Sequence, residues 1–467
     1  MHRLLTILFI LGVSICAQAQ LGDLSPYSRF GLGTIQNQAM AANLGMGSLS
    51  TALNSNASIN VLNPATYASL SKPTFQVELK SQWMTLSSET ESQSLRLTTL
   101  NSFNFAFPFL KSRSALSLGL LPYSRSGYNI IQDFNNEDVG GYTTTYEGEG
   151  GLNKAYLGFG KAFDIKKTSI INDTSGVPID TITQIKHLIS VGTNFNYYFG
   201  NLLKSRSLEF DDTDFFHSRF SSSTHIEDIG FDFGVHYFTT IFEERKRTEL
   251  LHRVNLFAGA TYSLASDLSV RQTDLAETYR LFSGIPGALD TTYFLENANG
   301  SLTIPEIISL GFAFEYQNKN DRSLLIGTEF RFQDWTDFSV NFNGNETIDE
   351  SLDQSTQFSV GLRYTPKILA KPGLNLFQKM TYRAGFRTND MYINVNDQNL
   401  NEKAITAGFT IPLDVSRSSS KINFGIEFGN RGGTNNGLVK EEFINVQLGF
   451  TFTPYYRNNW FVQSKYD

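Results

Sequence analysis

Asp211, Asp212 and Asp214 form the densest group of potentially reactive side chains in this sequence. Three carboxylates at this spacing could bind a divalent cation, because hard cations prefer oxygen ligands. The same residues also fit a solvated surface, and this is the interpretation we adopt. The polar stretch 343–350 allows the same two interpretations. We therefore predict no metal site and no cofactor.

No catalytic motif can be assembled from the other residues. Gly148-Glu149-Gly150-Gly151 is glycine-rich, but no helix pattern follows it, so it does not predict a dinucleotide loop. A nucleophile elbow, a Walker loop and a His-Glu-x-x-His pair are all missing from the sequence. His236 is expected to line an interior as a polar residue. The six histidines are scattered, at His2, His187, His217, His225, His236 and His252. The sequence predicts a protein that is not an enzyme.

Residues 1–19 predict a signal peptide. A basic start at His2 and Arg3 is followed by an apolar run, and Ala17-Gln18-Ala19 matches a cleavage site. Cys16 is the only cysteine, so the mature chain can form neither a disulfide nor a thiolate metal site. A membrane anchor and a lipoprotein are the alternatives. The run is short for an anchor, and Ile15 is not the small residue that a lipobox needs.

Apolar and polar residues alternate with a period of two from about residue 74 onward. In the last such segment Ile444, Val446, Leu448, Phe450 and Phe452 share one face, opposite Asn445, Gln447, Gly449 and Thr451. Aromatic residues make up 13% of the chain, which fits side chains that face lipid. A soluble antiparallel sandwich would also alternate. Charges deep within a strand, such as Glu329 and Arg331, favour instead a wet or plugged lumen.

Fourteen alternating segments can be counted, and an even number is typical of single-chain bacterial barrels. They span residues 74–86, 95–109, 113–124, 151–163, 187–199, 227–241, 252–264, 304–317, 323–337, 355–366, 379–390, 401–413, 420–429 and 440–453. The predicted fold class is all-β, a membrane-spanning antiparallel 14-stranded β-barrel with an N-terminal plug segment. The net charge of −7 shows no basic excess, which argues against a nucleic acid partner.

The connections between segments alternate between short, basic turns and long, polar loops. The long ones cover residues 124–150, 200–226, 265–303 and 334–355. Outer-membrane barrels have short periplasmic turns and long outer loops, so both termini are predicted to be periplasmic. Residues 164–186 and 366–378 are two longer links on the predicted periplasmic side.

Residues 20–72 precede the first strand and are rich in glycine, serine, asparagine and alanine. They could be a disordered tail or a folded plug. We favour a plug because glycines recur on the lumen face of the strands, where they let another backbone approach closely. The alternative is that these glycines relieve barrel curvature. They are Gly119, Gly158, Gly192, Gly234, Gly259, Gly311, Gly361, Gly385, Gly408, Gly425 and Gly449.

Two short motifs precede the first strand, Gly45-Met46-Gly47 and Asn63-Pro64-Ala65. With these motifs and fourteen strands, the mature chain resembles the FadL-like family of outer-membrane transporters, whose N-terminal hatch carries similar elements. Gly45, Gly47, Asn63, Pro64 and Ala65 are therefore candidate plug residues. The stretch 25–33 and Asn459-Trp460-Phe461 are similar to uncharacterised barrels from bacteria with type IX secretion.

The resemblance implies a route for hydrophobic small molecules, with a kink in the third strand that opens the wall sideways. Gly119, Pro122 and Tyr123 are the candidate kink residues, because Pro122 cannot donate to a strand ladder. Alternatively, Pro122 simply ends its strand before a long loop. The loops show no long apolar groove. Their best apolar cluster, at Phe215, Phe216 and Phe220, also fits the aromatic girdle of any barrel.

The C-terminal region suggests partners. Residues 447–452 resemble the terminal signal that barrel-assembly machinery recognises during biogenesis, except that Pro454 follows in place of a final aromatic. A tail at 455–467 contains Tyr455, Tyr456, Trp460 and Phe461, which could dock to another envelope protein.

The predicted domains are a signal peptide at 1–19, a plug at 20–72, a barrel at 73–454 and a periplasmic tail at 455–467. The predicted location is the bacterial outer membrane, with its lipid as a partner. Two functions remain open. The first is passive transport of a hydrophobic ligand, which the hatch and Pro122 favour. The second is a non-channel subunit or scaffold of a secretion or assembly complex, which the long periplasmic links and the tail favour.

Overall fold

The alternating segments form strands in a computed structural model. It describes residues 22–109, 113–172, 178–246, 249–282, 285–342, 345–367, 374–396, 398–413, 420–435 and 437–454. The predicted signal peptide and the tail at 455–467 lie outside the described residues. Within the described ranges, no helix has both the length and the apolar character to span a membrane.

Most of the described chain is strand, and the helices are single turns. The strands are β1 (Thr34–Ile35), β2 (Thr74–Ser87), β3 (Ser92–Phe109), β4 (Ser114–Pro122), β5 (Ser124–Asn136), β6 (Gly140–Asn172), β7 (Pro178–Phe210), β8 (His217–Lys246), β9 (Glu249–Ser263), β10 (Ser266–Phe282), β11 (Ile285–Ile304), β12 (Ile307–Asn318), β13 (Ser323–Asp334), β14 (Ser339–Phe342), β15 (Asn345–Ile348), β16 (Gln354–Thr365), β17 (Thr381–Val395), β18 (Gln398–Pro412), β19 (Lys421–Arg431) and β20 (Lys440–Phe452). The helices are α1 (Ala41–Leu44) and α2 (Leu376–Lys379), with 3-10 turns at Pro26–Arg29, Pro64–Ser69 and Trp335–Asp337.

Neighbouring strands pair antiparallel into one closed wall. Five of the wall strands consist of two pieces each, namely β4 with β5, β9 with β10, β11 with β12, β13 with β14 and β15 with β16. The ring closes where β20 pairs with β2, which places Val77 opposite Phe450 and Ser81 opposite Val446. The predicted antiparallel 14-stranded barrel is confirmed.

The wall exposes its apolar face and buries its polar face. On β12, Phe312 and Phe314 are 52% and 53% exposed, whereas Ser309 and Glu315 are 1% and 8% exposed. A soluble protein shows the opposite preference, because carboxylates are costly to bury and aromatic rings are costly to hydrate. The outer face therefore suits lipid, and the soluble sandwich is excluded.

The long polar connections are paired strands, so their prediction as loops needs correction. β5 with β6, β7 with β8, and β10 with β11 continue as hairpins through residues 124–150, 200–226 and 265–303. The link at 164–186 is corrected in the same way, since β6 and β7 run through most of it. Apolar and polar residues do not alternate in these extensions, because both faces of a hairpin that projects beyond the wall can contact water. We call the two ends of the barrel the hairpin end and the short-turn end.

Candidate functional site

Residues 22–70 lie inside the barrel, and we call them the luminal segment. Wall glycines make room for it, since a β-carbon at each would lie within 3.1 Å of an atom of the segment. These glycines are Gly158, Gly160, Gly192, Gly234, Gly259, Gly311, Gly361, Gly385, Gly408 and Gly425. Gly119 and Gly449, also predicted to contact a plug, face wall side chains instead. The segment thus contacts the wall from β6 round to β19.

Gly45 and Gly47 lie where α1 ends against β17 and β18. Gly47 has a φ of +69°, a left-handed conformation that favours glycine. A β-carbon on Gly47 would lie 2.7 Å from the carbonyl oxygen of Phe386, and one on Gly385 would lie 2.3 Å from the Gly47 nitrogen. The Gly47 N–H donates to Thr406 Oγ1 at 2.8 Å. Two backbones therefore pack together at this point without intervening side chains.

Asn63 organises the second motif from a fully buried position. Its Oδ1 accepts from the Ala65 N–H at 3.1 Å, which caps the 3-10 turn that begins at Pro64. Its Nδ2 donates to the carbonyl oxygens of Thr51 at 2.7 Å and Val235 at 3.2 Å. Asn63 thereby joins two parts of the luminal segment to β8. The two motifs lie against different wall strands and do not form one pocket.

Buried carboxylates of the wall hold the backbone of the luminal segment. Glu329 Oε2 accepts from the N–H groups of Ser50 and Thr51, both at 2.7 Å. Glu78 Oε2 accepts from the Ala41 N–H at 3.0 Å, at the start of α1. Hydrogen bonds from neutral donors to a charged acceptor are among the stronger ones in proteins. The segment is therefore fixed by directional bonds as well as by packing.

A buried ionic network joins β17 to β20. Arg387 pairs with Glu402 at 2.6 Å and with Glu427 at 2.7 Å. Arg431 pairs with Glu402 at 2.5 Å and with Glu441 at 2.9 Å. The Ser25 hydroxyl donates to Glu441 Oε1 at 2.5 Å, so the network extends into the luminal segment. Two buried arginines thus bridge three buried carboxylates.

The hairpin end of the lumen is filled by apolar side chains, which we call the hairpin-end core. Tyr27 and Leu32 of the luminal segment belong to it. Trp335 is 1% exposed, and its ring stacks on Tyr392 with centroids 4.6 Å apart. The other members come from the wall strands and the loops between them: Tyr123, Leu152, Tyr198, Leu202, Ile226, Leu268, Val270, Leu302, Ile304, Phe338, Leu352, Met391, Ile393, Leu400 and Leu438. These side chains obstruct the lumen at this end, and a cavity of about 440 Å³ remains beside them.

The third wall strand is interrupted at Pro122 and continues as β5. Pairing between β3 and β4 ends where Phe103 lies opposite Leu120. Residues 92–102 of β3 pair with β2, and β5 pairs with β6 and β1, with no described pairing between β3 and β5. Pro122 ends β4, as the alternative predicted, but another strand follows instead of a loop. The break leaves an unpaired stretch in the wall.

The luminal segment occupies this unpaired stretch. Thr34 and Ile35 pair with Arg125 and Ser124, and the carbonyl oxygen of Tyr123 accepts from the Gln36 N–H at 2.9 Å. A β-carbon on Gly22 would lie 2.9 Å from the Ser126 carbonyl oxygen. The remaining cavity is only about 10 Å³ and is lined partly by the charged side chains of Asp23, Lys80 and Arg125. Burial raises the pKa of the Asp23 carboxyl. The stretch is thus closed and polar.

The described residues show no group of three or more His, Cys, Asp or Glu side chains that could hold a metal ion. Asp212 and Asp214 lie exposed at the tip of the β7–β8 hairpin, where Asp212 Oδ1 accepts from the Asp214 N–H. His236 faces the lumen, and its Nε2 lies 3.1 Å from the Ala52 carbonyl oxygen. The register places the buried Ser190 opposite His236, but neither the Ser190 hydroxyl nor His236 Nδ1 has a hydrogen-bond partner among the described residues.

A sequence profile of the BamG family matches residues 1–171 and 177–467. The chain belongs to the BamG family. Among curated proteins, none is similar enough in sequence to match this BamG-family chain. Solved structures share its fold, as the resemblance to FadL-like transporters predicted. The toluene transporter TbuX of Ralstonia pickettii aligns with a TM-score of 0.51 at 13% identity, over 89% of this chain and 98% of its own.

Two further solved structures resemble the BamG-family chain to the same extent. The toluene transporter TodX of Pseudomonas putida aligns with a TM-score of 0.51 at 14% identity, over 89% of this chain and 98% of its own. A FadL homologue of Pseudomonas aeruginosa aligns with a TM-score of 0.50 at 11% identity, over 89% of this chain and 98% of its own. At these identities the likeness concerns the fold alone, which is that of an outer-membrane β-barrel.

Proposed function

We propose that this BamG-family barrel is a non-channel subunit of a protein complex in the bacterial outer membrane. The hairpin-end core is the observation that carries the proposal, because it packs side chains of the wall against those of the luminal segment inside the lumen. Each fully buried Leu or Phe side chain stabilises the fold by about 1.5–3 kcal/mol. A solute passage would have to displace many of them, whereas a scaffold requires no passage and no catalytic group.

The short-turn end faces the periplasm in this proposal, as is usual for outer-membrane barrels. The last strand, β20, ends at the short-turn end, so the residues Tyr455, Tyr456, Trp460 and Phe461 would be available to a periplasmic partner. Gly22, in contrast, lies against Ser126 and Gly150 of the wall, away from the short-turn end. The strand signal at 447–452 belongs to β20, where barrel-assembly machinery would recognise it during biogenesis. We propose envelope proteins as the stable partners and outer-membrane lipid as the surroundings.

Passive transport of a hydrophobic ligand is the second candidate, and the wall break at Pro122 favours it. Structures of named toluene transporters have the same fold. Gly119, Pro122 and Tyr123 would then mark a lateral exit, and Gly22 and Asp23 would have to leave the unpaired stretch. The charged side chains that line this stretch oppose the passage of an apolar molecule, because they would lose hydration and partners.

A pull-down from outer membranes tests the proposal. The tagged full-length chain, extracted in a mild detergent, is expected to recover envelope proteins in fixed stoichiometry by mass spectrometry. A chain truncated after Pro454 removes the tail alone and is expected to recover less, while still showing the heat-modifiable mobility of a folded barrel. Recovery of the barrel alone, or with a bound hydrophobic molecule, would contradict the proposal and support transport.

A further inference from the structure

At the short-turn end, the described residues leave part of the lumen unfilled. A cavity of about 690 Å³ lies there between the luminal segment and the ends of the wall strands, and we call it the basic vestibule. Apolar side chains of the luminal segment, among them Met46, Leu53 and Ile59, contribute to its inner surface. Among the described residues, seven lysines or arginines and a single carboxylate, Glu315, also line it. The vestibule is therefore strongly positive.

Part of this positive charge is balanced. Arg113 lies 3.6 Å from Asp164, and Arg253 lies 2.9 Å from Glu243. Glu315 accepts from Arg363 at 3.2 Å and also from Ser323 at 2.7 Å and Gln317 at 3.0 Å. Because the Glu315 carboxylate already accepts from these donors, it has little acceptor capacity left for another cation.

Arg383 and Lys421 are not balanced by a carboxylate among the described residues. Arg383 Nη1 donates to the neutral hydroxyl of Thr410 at 2.6 Å. Arg363 acts electrostatically on Arg383, and both arginines act on Lys421. Three like charges in a partly desolvated cavity repel one another, and this repulsion is relieved when an anion enters. The cluster is thus built to attract negative charge.

We propose that the basic vestibule binds an acidic, extended peptide segment of a partner protein. The inference rests on the proposed function, because a complex subunit needs a docking site on its exposed end. The vestibule is large enough for several residues, and its cations come from several different strands, which matches a ligand with several separated carboxylates. The apolar part of its surface adds contact for the chain between them.

Other anions fit the vestibule less well. A single phosphate could reach only part of this distributed charge. A phospholipid headgroup lies outside the wall, whereas the vestibule lies within it. The whole chain is acidic, with a net charge of −7, so the basic character of this cavity is local. An acidic partner would therefore be repelled by much of the molecule and attracted at this end.

Binding of fluorescein-labelled octaglutamate to the purified full-length barrel tests the proposal. Fluorescence anisotropy at low salt is expected to show saturable binding that weakens as sodium chloride is added, because salt screens exposed charges. The Arg383→Gln/Lys421→Gln variant is expected to bind at least about tenfold more weakly, since it removes the two unbalanced charges. The Arg383→Lys/Lys421→Arg variant keeps both charges and therefore the electrostatic complementarity, so it is expected to bind within about twofold of the parent chain.

The matched control is Arg271→Gln/Arg280→Gln, which removes two positive charges from the β10 hairpin. It is expected to bind octaglutamate as the parent chain does. Equal weakening by both neutralised pairs, or no binding by the parent chain, would overturn the proposal. Displacement of the peptide by inorganic phosphate at or below the peptide's own dissociation constant would also overturn it and indicate a small-anion site. The test uses the isolated chain, so its failure leaves the pull-down result unaffected.

Discussion

Replacing Arg431 by methionine is expected to lower the free energy of unfolding by about 3–5 kcal/mol. Arg431 bridges Glu402 and Glu441, and these two carboxylates are 3% and 0% exposed. Methionine retains a long side chain but leaves Glu441 without its cation and Glu402 with Arg387 alone. Urea unfolding of the barrel refolded in lipid vesicles measures the change as a lower midpoint at an unchanged slope.

The matched control for this prediction is Arg271→Met. Arg271 pairs with Glu227 at 2.9 Å, but the two side chains are 50% and 43% exposed. Exposed pairs contribute about 1 kcal/mol or less, because water already solvates both charges. A loss of similar size in both variants would show that the buried network has no special role in holding β17 to β20 together.

Replacing Trp335 by alanine is expected to destabilise the barrel by about 3–5 kcal/mol as well. Its ring is buried in the hairpin-end core and contacts Phe338 and Tyr392, with centroid distances of 5.8 and 4.6 Å. Alanine removes these contacts and leaves a cavity that the surrounding strands cannot fully close. The same urea titration measures the change.

Phe282→Ala is the control for the tryptophan variant. Phe282 is 60% exposed at the tip of the β10–β11 hairpin, so its removal is expected to change stability by about 0.5 kcal/mol or less. If Trp335→Ala were equally harmless, the hairpin-end core would be loosely packed. The argument that packed side chains obstruct the lumen at this end would then lose its basis.

The wall could be predicted from the sequence because it follows a single physical rule. Each wall strand separates lipid from the lumen, so its apolar and polar residues alternate with a period of two. This pattern is present along β12, β16 and β20. The hairpin extensions could not be predicted in this way. Above the lipid both faces of β10 and β11 can be polar, so the periodic signal disappears although the pairing continues.

The contacts of the luminal segment were predictable in part. Lumen-facing glycines such as Gly192 and Gly385 indicated a close backbone approach, since only a missing β-carbon permits it. The carboxylates that hold the segment were not found. Glu329 was noted only as a lumen charge, because no spacing in the sequence shows that it meets the backbone of Ser50 and Thr51.

The ionic network was missed for a related reason. Glu402 lies directly opposite Arg431, and Arg431 lies directly opposite Glu441, so the register brings the charges together. Register depends on turn length and strand ends, which the sequence defines poorly. A signal was nevertheless present, because three consecutive strands carry Glu402, Arg431 and Glu441, whose charges alternate in sign. Aligning Gly408 with Gly425 would have placed Glu402 opposite Arg431, whereas no pair of glycines aligns β19 with β20.

A disulfide that locks the luminal segment to the wall tests the central claim most directly. A β-carbon on Gly311 would lie 3.2 Å from the Ala52 β-carbon, close to the roughly 3.5–4.5 Å that a disulfide needs. The mature chain is predicted to have no cysteine, so Ala52→Cys/Gly311→Cys introduces only this pair. The measurement is whether the locked chain restores envelope integrity to cells that lack the protein. We expect full restoration with and without reductant, because a scaffold does not need the segment to move. Failure of the locked chain, reversed by reductant and absent from both single variants, would contradict the account and show that the segment must open.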